Sequence, residues 1–153
     1  DVAWLIETMN APVMLKGILH PEDAAKAVQI GAAGVIVSNH GGRQLDGALS
    51  SIRMLPSIMD AVGGDIEVHL DSGIRSGQDI LKAIALGAKG TMIGRAFVYG
   101  LGAMGQAGVT KALEVLHKEL DTTMALCGEK TVHGLGRHNL LIPEDFGGRW
   151  MAD

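Results

Sequence analysis

Residues 35–46 read Val-Ile-Val-Ser-Asn-His-Gly-Gly-Arg-Gln-Leu-Asp. With Gly34 in front, the first three form a short β-branched run, apolar on both faces and too short for a helix, which predicts a buried parallel strand. The polar segment from Ser38 to Asp46 follows at once, and its adjacent glycines let backbone approach a ligand closely.

The same pattern recurs on both sides. Residues 13–16, 66–70 and 91–93 are further strand candidates, each ending at polar or glycine-bearing residues: Lys16-Gly17, then Asp71-Ser72-Gly73-Ile74-Arg75, then Gly94-Arg95. Between them lie helical periodicities with recognisable starts at Pro21 with Glu22 and Asp23, at Ser50 or Ser51, and at Ser76. Gly31 and Gly87 stand where helix C-terminal caps belong. Residues 26–34 and 82–90 repeat one helix-glycine-strand unit. The order is βαβαβαβα, an α/β chain.

Doubly wound sheets and barrels share such units. Polar residues contributed by several successive strand ends around one mouth favour a TIM (β/α)8 barrel, of which about four β/α units are present. Four strands are half of that barrel and would leave two parallel edges open. Residues 96–126 read as glycine-interrupted helix, and about 130–153 as a short helix with an irregular end. The whole of 1–153 is expected to belong to a single domain.

The 153 residues carry a formal net charge of -4 with signs interspersed, so no basic stripe suits a nucleic acid. Aromatic residues make up only 3%, and 22 glycines point to a core of small aliphatics and methionine. The single cysteine, Cys127, cannot form an internal disulfide, and its apolar neighbours predict a reduced, buried thiol in a reducing compartment. No apolar run reaches the ~20 residues of a membrane span. The start, lacking methionine, reads as the interior of a longer chain.

The chemistry is expected in the strand-end loops. His40 can accept a proton near neutral pH, its type having an unperturbed pKa of ~6.5. Arg43, three residues on, offers a planar fork that matches a carboxylate. Gly73 and Gly94 expose backbone amides while Arg75 and Arg95 add charge, which suits a phosphate. Lys16 ends an apolar strand and needs an anionic partner if buried, which a bound cofactor could supply. His20, His69, His117, His133 and His138 show no metal-ligand spacing, so no metal is expected.

These residues resemble the FMN-dependent 2-hydroxy-acid oxidising family. The likeness rests on S-N-H-G-G-R-Q-L-D at 38–46, L-K-G-I-L at 15–19, D-S-G-I-R at 71–75 and I-G-R at 93–95, and spans residues 4–127. It implies the C-terminal half of a barrel and FMN as cofactor. His40 then matches the catalytic base and Arg43 the carboxylate clamp. Lys16 matches the lysine near the flavin pyrimidine, Ser38 a flavin-contacting serine, and Asp71, Ser72, Gly73 and Arg75 the ribityl and phosphate segment. Ser72 stands where many members have glycine. Gly94 and Arg95 match the second phosphate loop.

The implied reaction oxidises an (S)-2-hydroxy acid, lactate-like, to the 2-keto acid, and an unidentified electron acceptor takes the electrons onward. The resemblance also implies a homotetramer and a cytoplasmic location, with membrane attachment in some relatives through a segment ahead of Asp1. In that family the first four strands supply tyrosines and an aspartate that orients the histidine, so this chain alone is expected to be an inefficient enzyme. A second enzyme reading, another FMN barrel with similar phosphate loops, is disfavoured by the histidine-arginine loop. The reading from a different class is a non-catalytic half-barrel that binds FMN or phosphate, or an assembly module.

Overall fold

A computed structural model describes residues 1–62 and 64–146. Four parallel strands, β1 (Met14–Ile18), β2 (Gly34–Val37), β3 (Glu67–Leu70) and β4 (Gly90–Thr91), lie side by side in chain order. Helices α2 (Pro21–Gln29), α3 (Ser51–Val62) and α4 (Gly77–Ala85) make the crossovers, with α1 (Val2–Thr8) before them and α5 (Arg95–Leu126) after. The expected element order holds. Strand bounds shift by a residue or two, and β4 is cut to two paired residues.

The helices start by local chemistry. The His20 ring caps α2 by accepting from the Glu22 amide, with Pro21 in the first turn, where its missing N–H costs nothing. Ser76 and Asp79 cap α4 reciprocally.

The sheet has two unlike faces. Val35, Val37, Val68 and Leu70 are at most 2% exposed and pack with Ala24 and Ala27 of α2, Met54, Leu55, Ile58 and Val62 of α3, and Ala83 of α4. Burial of this apolar layer, at about 25 cal/mol per Å², favours folding. On the other face the register aligns Lys16, Ile36 and His69, with Glu67 two residues before His69. Lys16 and Glu67 are exposed there, and His69 pairs with Glu67 at 3.2 Å. The expectation that the strands are apolar on both faces is therefore corrected for β1 and β3. Helices cover one face of a sheet in sequential order, whereas a doubly wound sheet would carry them on both.

Two further expectations change. Cys127 is exposed rather than buried, because it is the C-cap of α5, past the last residues that pack. The described part of the segment after it holds turns rather than a helix, single 3-10 turns at Val132–Gly134 and Arg137–Asn139. Glu129 accepts hydrogen bonds from His138 and Asn139, which hold its carboxyl below the ordinary value. Leu140 and Phe146 pack on the core, and Arg53 lies 5.6 Å from the Phe146 ring centroid. Residues 147–153 of the expected irregular end lie outside the described residues.

α5 is two rods in sequence. Met104 and Gly105 leave helical geometry within it, in line with the glycine interruptions read from sequence. No described helix is long and apolar enough to cross a membrane.

Candidate active site

All four strands deliver polar residues to one end of the sheet, because parallel strands point their carboxyl ends the same way. β1 contributes Lys16 through an irregularity. The register with β2 slips between Lys16 and Ile18, leaving Gly17 as an extra residue at φ +101°. Such a bulge bends a strand end and re-aims its side chains. It also makes room: a Cβ on Gly17 would fall 2.6 Å from His40 Nε2, so the imidazole rests against the bare glycine.

β2 runs into Ser38, which is fully buried, and then into a 3-10 turn at His40–Gly42. His40 sits at φ +56°, a conformation uncommon for a residue with a Cβ. Backbone bonds hold it there. Its amide donates to Ser38 Oγ at 3.1 Å, and the next amide, Gly41, donates to Asn39 Oδ1 at 3.0 Å. The ring and the Arg43 guanidinium both remain exposed. Among the described residues, histidine ion pairs involve His69 and His138, and no carboxylate pairs with His40.

β3 leads into Asp71, whose carboxylate accepts from Lys16 Nζ at 2.5 Å and from Ser38 Oγ at 2.6 Å. Lys16 also donates to Ser38 at 3.1 Å. Burial would raise the Asp71 pKa, but hydrogen bonds from Lys16, Ser38 and the Ser72 backbone, with the lysine charge, outweigh it and hold the carboxyl below its ordinary value. The expected anionic partner of Lys16 is thus protein, not only a cofactor. Beyond Asp71, Ser72 takes φ +77° and Gly73 φ +87°, while Asp79 accepts from the Arg75 and Ser76 amides.

β4 passes into Gly94 and the start of α5. No side chain caps that helix N-terminus, and Arg95 reaches back to donate to the Gly41 carbonyl at 3.3 Å.

The structure brings nearly every anticipated residue together. Lys16, His40, Arg43, Asp71, Ser72, Gly73, Arg75, Gly94 and Arg95 line one cleft of about 520 Å³. That lies within the roughly 300–1,000 Å³ usual for small-molecule sites. Ser38 is the exception, lying beneath the wall and bracing Lys16 and Asp71. Gln44, Met92 and Ala96 also line the cleft and were not anticipated from sequence. Nor was the role of Gly17, although a lone glycine within a strand pattern is a bulge signal. A neighbouring cavity of about 680 Å³, walled by Ile52, Leu86, Leu140, Ile142 and Phe146, contains none of Lys16, His40 or Arg43. Among the described residues no three His, Cys, Asp or Glu side chains gather as metal ligands.

The cleft fits a flavin mononucleotide. A Cβ built on Gly73 or Gly94 would meet nothing within 4 Å, so both glycines border open space, and Arg75, Arg95 and an uncapped helix start lie along the same cleft. Those are the elements that bind a phosphate. Lys16 supplies positive charge elsewhere on the wall.

Fold and site together define a parallel β/α flavin-binding class, with its ligand at the carboxyl ends of the strands. The model of the FMN-dependent dehydrogenase family matches residues 1–142, and the chain belongs to that family. It is 54% identical over 141 residues to an L-lactate dehydrogenase of Actinobacillus pleuropneumoniae serotype 5b (strain L20), covering 92% of this chain and 37% of that protein. An L-lactate dehydrogenase of Haemophilus influenzae (strain PittEE) is 55% identical over 132 residues, 86% of this chain and 35% of the relative.

Among solved structures, a mandelate oxidase with (S)-2-phenylpropionate superposes with a TM-score of 0.83 at 51% identity, covering 86% of this chain and 40% of the other. A point mutant of mandelate oxidase with the monooxide FMN adduct matches with the same score and identity, covering 86% and 42%. The chain thus spans little more than a third of the length of the curated relatives it matches.

Proposed function

We propose that this chain supplies the base, the carboxylate clamp and most of the phosphate site of an FMN-dependent enzyme that oxidises an (S)-2-hydroxy acid to the 2-keto acid. The observation that carries the proposal is the convergence of His40, Arg43, Lys16 and both anion-binding loops on one cleft. The sheet is read as the C-terminal half of a (β/α)8 barrel. Its sequential order, its helices on one face only and the relatives' greater length support that reading.

FMN, when bound, accepts the two electrons that leave the substrate. Arg43 binds the substrate carboxylate through its planar fork, which fixes the hydroxyl-bearing carbon at the mouth of the cleft. The His40 imidazole takes up a proton released from that carbon or its hydroxyl. Lys16, anchored by Asp71 and Ser38, keeps a positive charge on the wall where negative charge accumulates. Ser38 acts from below, orienting Lys16 and the His40 amide.

No carboxylate among the described residues pairs with the His40 ring, and such a partner is what orients a catalytic imidazole. The 153-residue chain alone is accordingly expected to turn over poorly with added FMN. Robust lactate-dependent dye reduction by the purified chain would contradict this. On protein containing the whole barrel, His40→Gln is expected to abolish substrate reduction of the flavin and leave FMN bound. Surviving activity would remove His40 as the base.

A further inference from the structure

We propose that Ser72 is a positioning residue that latches the loop of Asp71 and Arg75 to the His40 turn, so that filling the anion pocket and setting the His40 backbone are one coupled event. The proposal rests on reading Gly73, Arg75, Gly94 and Arg95 as the phosphate site.

The hydroxyl stands at a junction. Ser72 Oγ accepts from the Gly41 amide at 3.1 Å and lies 3.3 Å from Ser38 Oγ. Ser38 directs its one proton to the Asp71 carboxylate at 2.6 Å and already accepts from Lys16 and the His40 amide, so the serine pair is a polar contact and the Gly41 bond is the one Ser72 Oγ makes to the His40 turn. The Ser72 carbonyl accepts from Ser51 Oγ at 3.1 Å, so the start of α3 holds it from the other side.

The amides on both sides of the His40 α-carbon are thereby held. His40 N–H goes to Ser38, and Gly41 N–H is shared between Asn39 and Ser72. Without such holding, His40 would relax from φ +56°. Ser72 itself sits at φ +77°, where glycine would be unstrained. The backbone cost of a Cβ at this φ is offset by the hydrogen bond that the hydroxyl makes to the Gly41 amide. Gly73, the next residue, lines the same cleft, so a ligand held there fixes the residue bonded to the latch.

The test compares Ser72→Gly with Ser72→Ala in the full chain. Ser72→Gly removes hydroxyl and strain together, whereas Ser72→Ala removes the hydroxyl and keeps the strain. Amide exchange at Gly41 is read by NMR with and without FMN, and FMN affinity by flavin fluorescence. Expected is at least a roughly 10-fold faster Gly41 exchange in both variants, with Ser72→Gly folding as stably as the parent or more so. Added FMN, at concentrations shown by flavin fluorescence to saturate each protein, is expected to slow Gly41 exchange in the parent and not in the variants.

A role confined to shaping the turn would instead leave Ser72→Gly at parental exchange, and that result would overturn the proposal. If the parent chain binds no FMN, the phosphate reading fails at this chain, while exchange without ligand still decides whether the hydroxyl holds the His40 turn.

Discussion

Replacing Gly17 with alanine places one methyl group where β1 bulges beneath the His40 ring. Two costs follow, and they can be separated. A residue with a Cβ held at φ +101° loses about 1–2 kcal/mol relative to glycine, since its Cβ meets the neighbouring carbonyl. For a domain of this length, that lowers the melting temperature by about 2–8 °C.

The second cost is functional. The new Cβ would lie 2.6 Å from His40 Nε2 and needs about 3.4 Å, so the ring must retreat by about 0.8 Å. The ring is the far end of a side chain and moves at little energetic expense. A displacement near 1 Å at the reacting group can nonetheless cost on the order of 10²-fold in rate.

Gly47→Ala is the control. Gly47 has φ +78° and open space around it, so it shares the backbone cost and displaces no ring. Thermal melts should fall for both variants. The His40 ring resonances should move only in Gly17→Ala, and substrate-driven flavin reduction on the whole barrel should drop only there. If the two variants cannot be told apart in resonance and rate, the bulge does not place the base.

Asp71→Asn should destabilise the chain in a pH-dependent way. The Asp71 carboxyl is held below its ordinary 3.8 by Lys16 and Ser38, so its contribution is present above that value and lost as pH falls through the depressed one. Melting temperatures of parent and variant from about pH 7 to about pH 2 should therefore converge below about pH 4, and a gap that widens on acidification would refute the assignment. Arg43→Lys keeps the charge and loses the fork. With about 1.5–3 kcal/mol for a charged hydrogen bond, KM for the 2-hydroxy acid should rise about 10- to 150-fold in steady-state kinetics, more than kcat falls. An unchanged KM would show that Arg43 does not hold the carboxylate.

Much of the site was legible because it is written locally. The run from Val35 to Asp46 states a strand, a glycine turn, a histidine and an arginine in consecutive residues. Helix starts at Pro21 and Ser76 and caps at Gly31 and Gly87 depend on neighbours within a turn, so they too could be read without a fold. The irregularity in α5 was signalled by its glycines. Cys127 misled, because apolar neighbours describe a helix but not which side of it is covered.

What the tertiary structure alone decided is which distant residues touch. Lys16, Ser38 and Asp71 are separated by 22 and 33 residues and meet only because three parallel strands are in one register. That register buries Ser38 beneath the cleft, pairs Lys16 with a carboxylate of the same chain and leaves the second face of the sheet partly polar. It also seats the His40 ring on Gly17 and ties Gly41 to Ser72. By itself the sequence determined which residues are proposed for the site and the order of the elements, since both are read from short-range periodicity and turn chemistry. Contacts between strand ends depend on backbone pairing across the whole sheet, and no local pattern encodes it.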